Sequence, residues 1–176
     1  MIIGKFLFIL IGNDKTGKTT LQKKLVDKLC WHKYSRLPTN RAFEVKHPDI
    51  KNKYKEISFG SRSYQEKTRE YKSVENYFTK YFYPADIAFL SSHLNARDID
   101  QMIEEGKKRY YNVYGIFWSN SIADDEETNS QIALLPWNEI FYIGNPNRKN
   151  KKDIEHQLDL IADSIVQLLE RRTSIS

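Results

Sequence analysis

Four residues near the start of the chain, Gly12, Gly17, Lys18 and Thr19, have the types and spacing to bind phosphate. They fit G-x-x-x-x-G-K-[ST], and each residue type has a physical reason to be there. The glycines let the backbone curl so that successive N–H groups converge on phosphate oxygens. A helix starting near Lys18 points its positive N-terminal end at the same anion. Lys18 then reaches the β- and γ-phosphates as a point charge, and the Thr19 hydroxyl holds Mg²⁺. The expected ligands are ATP and Mg²⁺, contacted along Gly12, Asn13, Asp14, Lys15, Thr16, Gly17, Lys18, Thr19 and Thr20.

Such a loop works only between a buried strand and a helix, and both are written into its flanks. Phe6 to Ile11 is a continuous apolar run, as in a strand covered on both faces. Leu21, Leu25, Val26 and Leu29 then recur at helical spacing.

Further along, a short strand is expected at about 33–37, which would carry Arg36 to the ligand end of a sheet as a candidate phosphate contact. Residues 40–60 show no clean period, with one short strand at 56–59. From Arg62 a helix is expected, its stripe formed by Tyr64, Thr68, Tyr71, Val74, Phe78 and Tyr81. That stripe reads as core, with Arg62, Gln65 and Arg69 on the polar side. A buried strand at 87–90 ends in Ser91-Ser92-His93, where His93 suits either a structural or a catalytic role. Asp98, with Gln101 three residues on, is the expected cap of the next helix. Strands at 112–118 and 140–143 follow, separated by an acidic stretch, 124–129, read as a mobile loop. A last helix carries Ile154, Leu158, Ile161, Ile165, Leu168 and Leu169 on one face. Strand and helix alternate, which predicts an α/β fold with a mainly parallel, five-stranded sheet.

Composition narrows the classes. The chain has 176 residues and suits a single domain. Its 40% hydrophobic content argues against disorder. One cysteine, Cys30, rules out an internal disulfide framework and suits a reducing, cytoplasmic setting. No apolar run reaches membrane-span length, so no membrane partner is expected. The net charge of +5 suits anionic partners, although its lysine clusters also suit a solvated surface.

The stretch Gly12-Asn13-Asp14-Lys15-Thr16-Gly17-Lys18-Thr19-Thr20 resembles the phosphate loop of the P-loop nucleoside and nucleotide kinases, thymidylate kinase in particular. Arg36-Leu37-Pro38 is similar to part of that family's Arg-Glu-Pro segment, and Ser91-Ser92-His93-Leu94-Asn95 resembles the strand end of polynucleotide kinases. The resemblance implies a three-layer α/β/α P-loop NTPase fold. Residues 40–82 would then be an acceptor-side insertion and residues 119–138 a lid-like loop. Asp14 would orient the acceptor, and Asn145, Pro146 and Arg148 would lie near the donor base. Two departures stand out. Ser92-His93 replaces the family's Asp-Arg, and residues 119–135 contain no arginine.

The expected activity is therefore transfer of the γ-phosphoryl group of ATP·Mg to a nucleoside, a nucleotide or a nucleic-acid end. Lys18, Asp14 and Arg36 are the candidate catalytic residues, with Arg62 and Arg69 competing for the role of transition-state cation. The alternatives are an ATPase or nucleotide-dependent switch acting with a protein or nucleic-acid partner, and a nucleotide-binding module without turnover. A GTPase is disfavoured, because no N/T-K-x-D motif follows the fourth expected strand.

Overall fold

The apolar run after Lys5 forms the central strand β1 (Lys5–Ile11), buried from Phe6 to its end. The computed structural model describes residues 4–38, 41–146 and 150–174. In chain order the remaining elements are α1 (Lys18–Cys30), β2 (Ala42–Glu44), β3 (Glu56–Ser63), a 3₁₀ turn at Tyr64–Lys67, α2 (Thr68–Tyr71), α3 (Val74–Lys80), β4 (Ile87–Ser92), α4 (Ala96–Lys108), β5 (Tyr111–Trp118), α5 (Ser119–Asp124), α6 (Glu126–Ala133), β6 (Glu139–Ile143) and α7 (Lys151–Ser174). One six-stranded sheet runs in the order β2-β3-β4-β1-β5-β6. Only the β2–β3 pair at one edge is antiparallel.

Alternate side chains of β1 enter two separate cores, as the period of two demands. Phe6, Phe8 and Leu10 pack with Leu21 and Leu25 of α1 and with Leu158, Ile165 and Leu169 of α7. Leu7, Ile9 and Ile11 pack with Val74 and Phe78 of α3, Ile99 and Met102 of α4, and Ile132 of α6. Stacked rings bind neighbouring strands within the first core: Phe8 and Phe89 lie 4.7 Å apart, and Phe89 and Phe59 lie 5.3 Å apart. With helices on both faces, β1 and β4 have no wet side, which is why both are continuous apolar runs.

Several expectations are corrected. Residues 33–37 form no strand, because only Leu37 of that group is buried. The strand beside β4 is instead β3, longer than the expected 56–59, with Ile57 and Phe59 fully buried against Ile87 and Phe89. Together with the edge strand β2 it brings the sheet to six strands. The single helix expected from Arg62 is broken at Lys72, which has φ of 65°. Ser73 there caps α3 by accepting from the Asn76 N–H at 3.1 Å. Tyr64, Tyr71, Val74 and Phe78 still face the core, as expected of that stripe, while Thr68 is exposed.

The helix start expected at Asp98 lies at Asn95, whose Oδ1 accepts from the Asp98 N–H at 3.0 Å. The acidic stretch after β5 is helical where a mobile loop is expected. Asp125 accepts from the Thr128 N–H at 3.0 Å, and buried Asn129 donates to the carbonyls of Ser121 and Asp125 at 3.1 and 2.7 Å. The charges of Glu126 and Glu127 stay exposed, while Ile132 anchors α6 in the core. Among the described residues no helix is long and apolar enough to cross a membrane.

The strand order fixes where a ligand crevice forms. After β1 the chain passes through α1 on one face and reaches β3. After β4 it passes through α4 on the other face and reaches β5. The carboxyl ends of the adjacent strands β1 and β4 therefore diverge, and ligands of open α/β sheets settle at such a switch point.

Candidate phosphate-binding site

The loop between β1 and α1 occupies this switch point. Its first residue is tied to the neighbouring strand end, since the Gly12 N–H donates to the Ser92 carbonyl at 3.1 Å. Thr16 Oγ1 donates to the Asn13 carbonyl at 3.1 Å and closes the turn. Gly17 precedes α1 with φ of 110°, a conformation that L side chains resist. A Cβ there would stand 3.3 Å from Nε1 of Trp118, a fully buried side chain whose N–H has no hydrogen-bond partner among the described residues.

Asn145, just past β6, holds the loop from the other side. Its Nδ2 donates to the Thr16 carbonyl at 3.0 Å, and its Oδ1 accepts from Ser119 Oγ at 3.3 Å and from the Asn120 N–H at 3.4 Å. The amide is buried, and these bonds tie the loop after β1 to the segment after β5. Pro146 beside it is exposed, and Arg148 lies outside the described residues.

Lys18 is buried, and its Nζ donates to the carbonyls of Gly12 and Asn13. Burial pushes its pKa down to about 8, against the opposing pull of the Asp14 and Glu66 carboxylates. A buried ammonium held by neutral carbonyls is a cation short of an anion, and that is the property a phosphate site needs. Thr19 is exposed at the mouth, and its side chain makes no hydrogen bond among the described residues. These residues fit a phosphate–metal ligand.

On the β4 side, His93 Nε2 lies 3.3 Å from Asp14 Oδ1 and 4.0 Å from Glu66 Oε1. Gln65 holds this corner. Its Oε1 accepts from the His93 N–H at 2.9 Å, and its Nε2 donates to Ser92 Oγ at 3.1 Å and to Asp98 Oδ2 at 2.9 Å. Ser91 accepts from buried Gln22 at 3.1 Å, so both serines act as internal struts. Glu66 is a carboxylate beside the loop that sequence reasoning missed. Its signal was the spacing Ser63-x-x-Glu66, a capping box in which Glu66 Oε1 accepts from the Ser63 N–H at 2.9 Å. Asp86, just before β4, lies at the opposite end of the sheet, where it accepts from the Lys55 N–H at 2.7 Å.

Two cavities open here. One of about 270 Å³ is lined by the loop from Asp14 to Thr20 together with Ser61, Ser63 and Glu66. The second, of about 460 Å³, is lined by Lys23, Arg36, Arg62, Leu37 and neighbouring residues. Thr19 and Ser61 belong to both, so the cavities meet at the phosphate loop. Lys18 and Asp14 thus share one cavity, Arg36 and Arg62 share the other, and Arg69 of α2 lines neither. Comparison of the chain with protein-family models, curated proteins and solved structures finds no match.

Proposed function

We propose that this protein is an ATP-binding P-loop kinase of the three-layer α/β/α type, transferring the γ-phosphoryl group of ATP·Mg to a nucleoside, nucleotide or nucleic-acid end. The observation that carries the reading is the pair of cavities meeting at Thr19 and Ser61, which suits a donor compartment beside an acceptor compartment. A hydrolase needs only the first.

In this reading Lys18 neutralises charge on the donor phosphates, and Asp14 orients the acceptor. Arg36 and Arg62 stand on the acceptor side to offset the charge that develops in transfer. The acceptor oxygen bonds to the γ-phosphorus as the bond to the β–γ bridging oxygen breaks, and ADP leaves with that electron pair. A hydroxyl acceptor gives its proton to solvent or to Asp14, and a phosphate acceptor releases none. Mg²⁺ would be held by Thr19 and would supply charge neutralisation across the phosphates. Phosphoryl transfer depends mostly on such positioning and charge, which suits a site with few reactive groups.

A second reading, an ATPase, draws on Glu66, a carboxylate beside the loop that could orient a water molecule. Incubation with labelled ATP and a panel of nucleosides, nucleoside monophosphates and 5′-hydroxyl oligonucleotides separates the readings. A labelled acceptor is the expected result. Free phosphate alone would favour the ATPase, and tight ATP binding with neither product would leave a nucleotide-binding module.

A further inference from the structure

We propose that the 460 Å³ cavity is a binding site for an acceptor that already carries a phosphate group, and not for a neutral nucleoside. The proposal rests on the kinase reading and names its substrate class.

Three cations converge on this cavity: Lys23 from α1, Arg36 from the segment after α1, and Arg62 from the end of β3. No carboxylate and no aromatic ring is among its described lining residues. Lys23 Nζ donates only to a neutral group, the Ser35 carbonyl. Neither Arg36 nor Arg62 has an ion-pair partner among the described residues, and both are exposed to the cavity mouth. Several cations elsewhere do have a countercharge. Lys24 and Lys28 pair with Asp159 and Asp163, Lys67 with Glu70, and Lys108 and Arg109 with Glu105. This cavity gathers three cations from three separate segments and no carboxylate among its described lining.

A neutral nucleoside seated here would remove water from three positive groups and give them no countercharge, which is unfavourable. A phosphate returns charge-assisted hydrogen bonds, and guanidinium forks suit its oxygens. The lining offers Leu37 and Pro38 but no ring on which to stack a base, so the phosphate dominates recognition and the base contributes little. A nucleoside monophosphate and the backbone phosphate of an oligonucleotide both present this chemistry.

Calorimetry tests the proposal directly. Adenosine, thymidine, their 5′-monophosphates and a 5′-hydroxyl tetranucleotide are titrated into the wild type, Lys18→Ala, Arg36→Ala and Arg62→Ala. Each titration is run with and without a saturating non-hydrolysable ATP analogue. The phosphate-bearing probes are expected to bind at least about tenfold more tightly than the nucleosides. Arg36→Ala and Arg62→Ala should each erase that preference, while Lys18→Ala should leave it in place. Which probe binds better, the mononucleotide or the tetranucleotide, identifies the source of the phosphate. Equal binding of nucleosides and phosphorylated probes would overturn the proposal, as would a preference lost only in Lys18→Ala, which would put the phosphate in the loop. Binding of the ATP analogue alone judges the kinase reading separately, and circular dichroism confirms that the arginine variants remain folded.

Discussion

Two groups of lysines on one helix, α1, are handled in opposite ways. Lys24 and Lys28 face α7 and meet Asp159 and Asp163 at 3.0 and 2.7 Å. Lys18 and Lys23 face the cavities and donate only to backbone carbonyls. The first group has its countercharge within the fold and helps dock one helix on another. Neither lysine of the second group has an ion-pair partner within 4 Å among the described residues, and for Lys18 burial outweighs the pull of Asp14 and Glu66 and depresses its pKa. A cation left without a carboxylate in a cleft is costly, and an arriving anion relieves that cost. On the proposed function, the contrast separates lysines that hold the structure from those that meet the ligand.

The largest effect should come from removing the most deeply buried member of the second group. Lys18→Ala is expected to lower phosphoryl transfer by roughly 10²–10³-fold. Thermal stability should be unchanged or slightly raised, since the variant no longer buries an ammonium. Transfer at the wild-type rate would break the distinction between the two groups.

The next effect comes from the loop's support. Asn145→Ala deletes a buried amide that serves Thr16, Ser119 and Asn120, at a cost of roughly 1–3 kcal/mol of stability. ATP affinity should fall as well, because the Thr16 carbonyl loses its tether. Equilibrium unfolding and nucleotide titration on the same variant measure both. Stability lost with ATP affinity intact would show that the loop keeps its shape without this contact.

The elements around these residues differ in how far sequence could reveal them. β1, β4, β5 and α7 were legible because burial on both sheet faces, or along one helix face, leaves an unbroken apolar run or a regular stripe. The strand–loop–helix from β1 to α1 was legible because it is local, with its loop closed within Gly12–Thr20. The edge of the sheet was not. Neither the segment at 33–37 nor β3 is a long apolar run, and only pairing with β4 decides which becomes the strand beside it. The meeting of His93 with Asp14 depends on β1 and β4 ending in register at Ile11 and Ser92. Arg36 and Arg62 share a cavity only because β3 takes the place beside β4. Local motifs can be read directly from the chain, whereas contacts that depend on strand order cannot.

Titration sharpens the comparison further, with a smaller effect. The pKa of Lys18 is lowered from its model-peptide value of 10.5 to about 8 in the fold, so the unfolded chain holds an extra proton between those values. Lys18 therefore lowers stability below about pH 8, and this penalty fades as pH rises towards the unfolded value. Nucleotide binding responds in the opposite sense. It needs the charged ammonium, so affinity should fall by up to about tenfold per pH unit above 8, with proton uptake on binding. Calorimetry in buffers of different ionisation enthalpy measures that uptake. Lys18→Ala should abolish it, and an uptake that persists in the variant would assign it to another group.

The smallest effect belongs to the lysines that already have a countercharge. Lys24 and Asp159 are both partly solvated, with side-chain exposures of 22% and 44%, so water and salt screen their attraction. A double-mutant cycle with Lys24→Ala and Asp159→Ala should give a coupling of about 0.2–1 kcal/mol that shrinks in high salt. Nucleotide affinity should not change in either single variant, because the pair lies on the side of α1 that packs against α7. A drop in affinity matching that of Lys18→Ala would mean that all the lysines of α1 act as one positive surface. An unchanged affinity with a small, salt-sensitive loss of stability would confine Lys24 to helix docking and leave anion binding to the lysines that face the cavities.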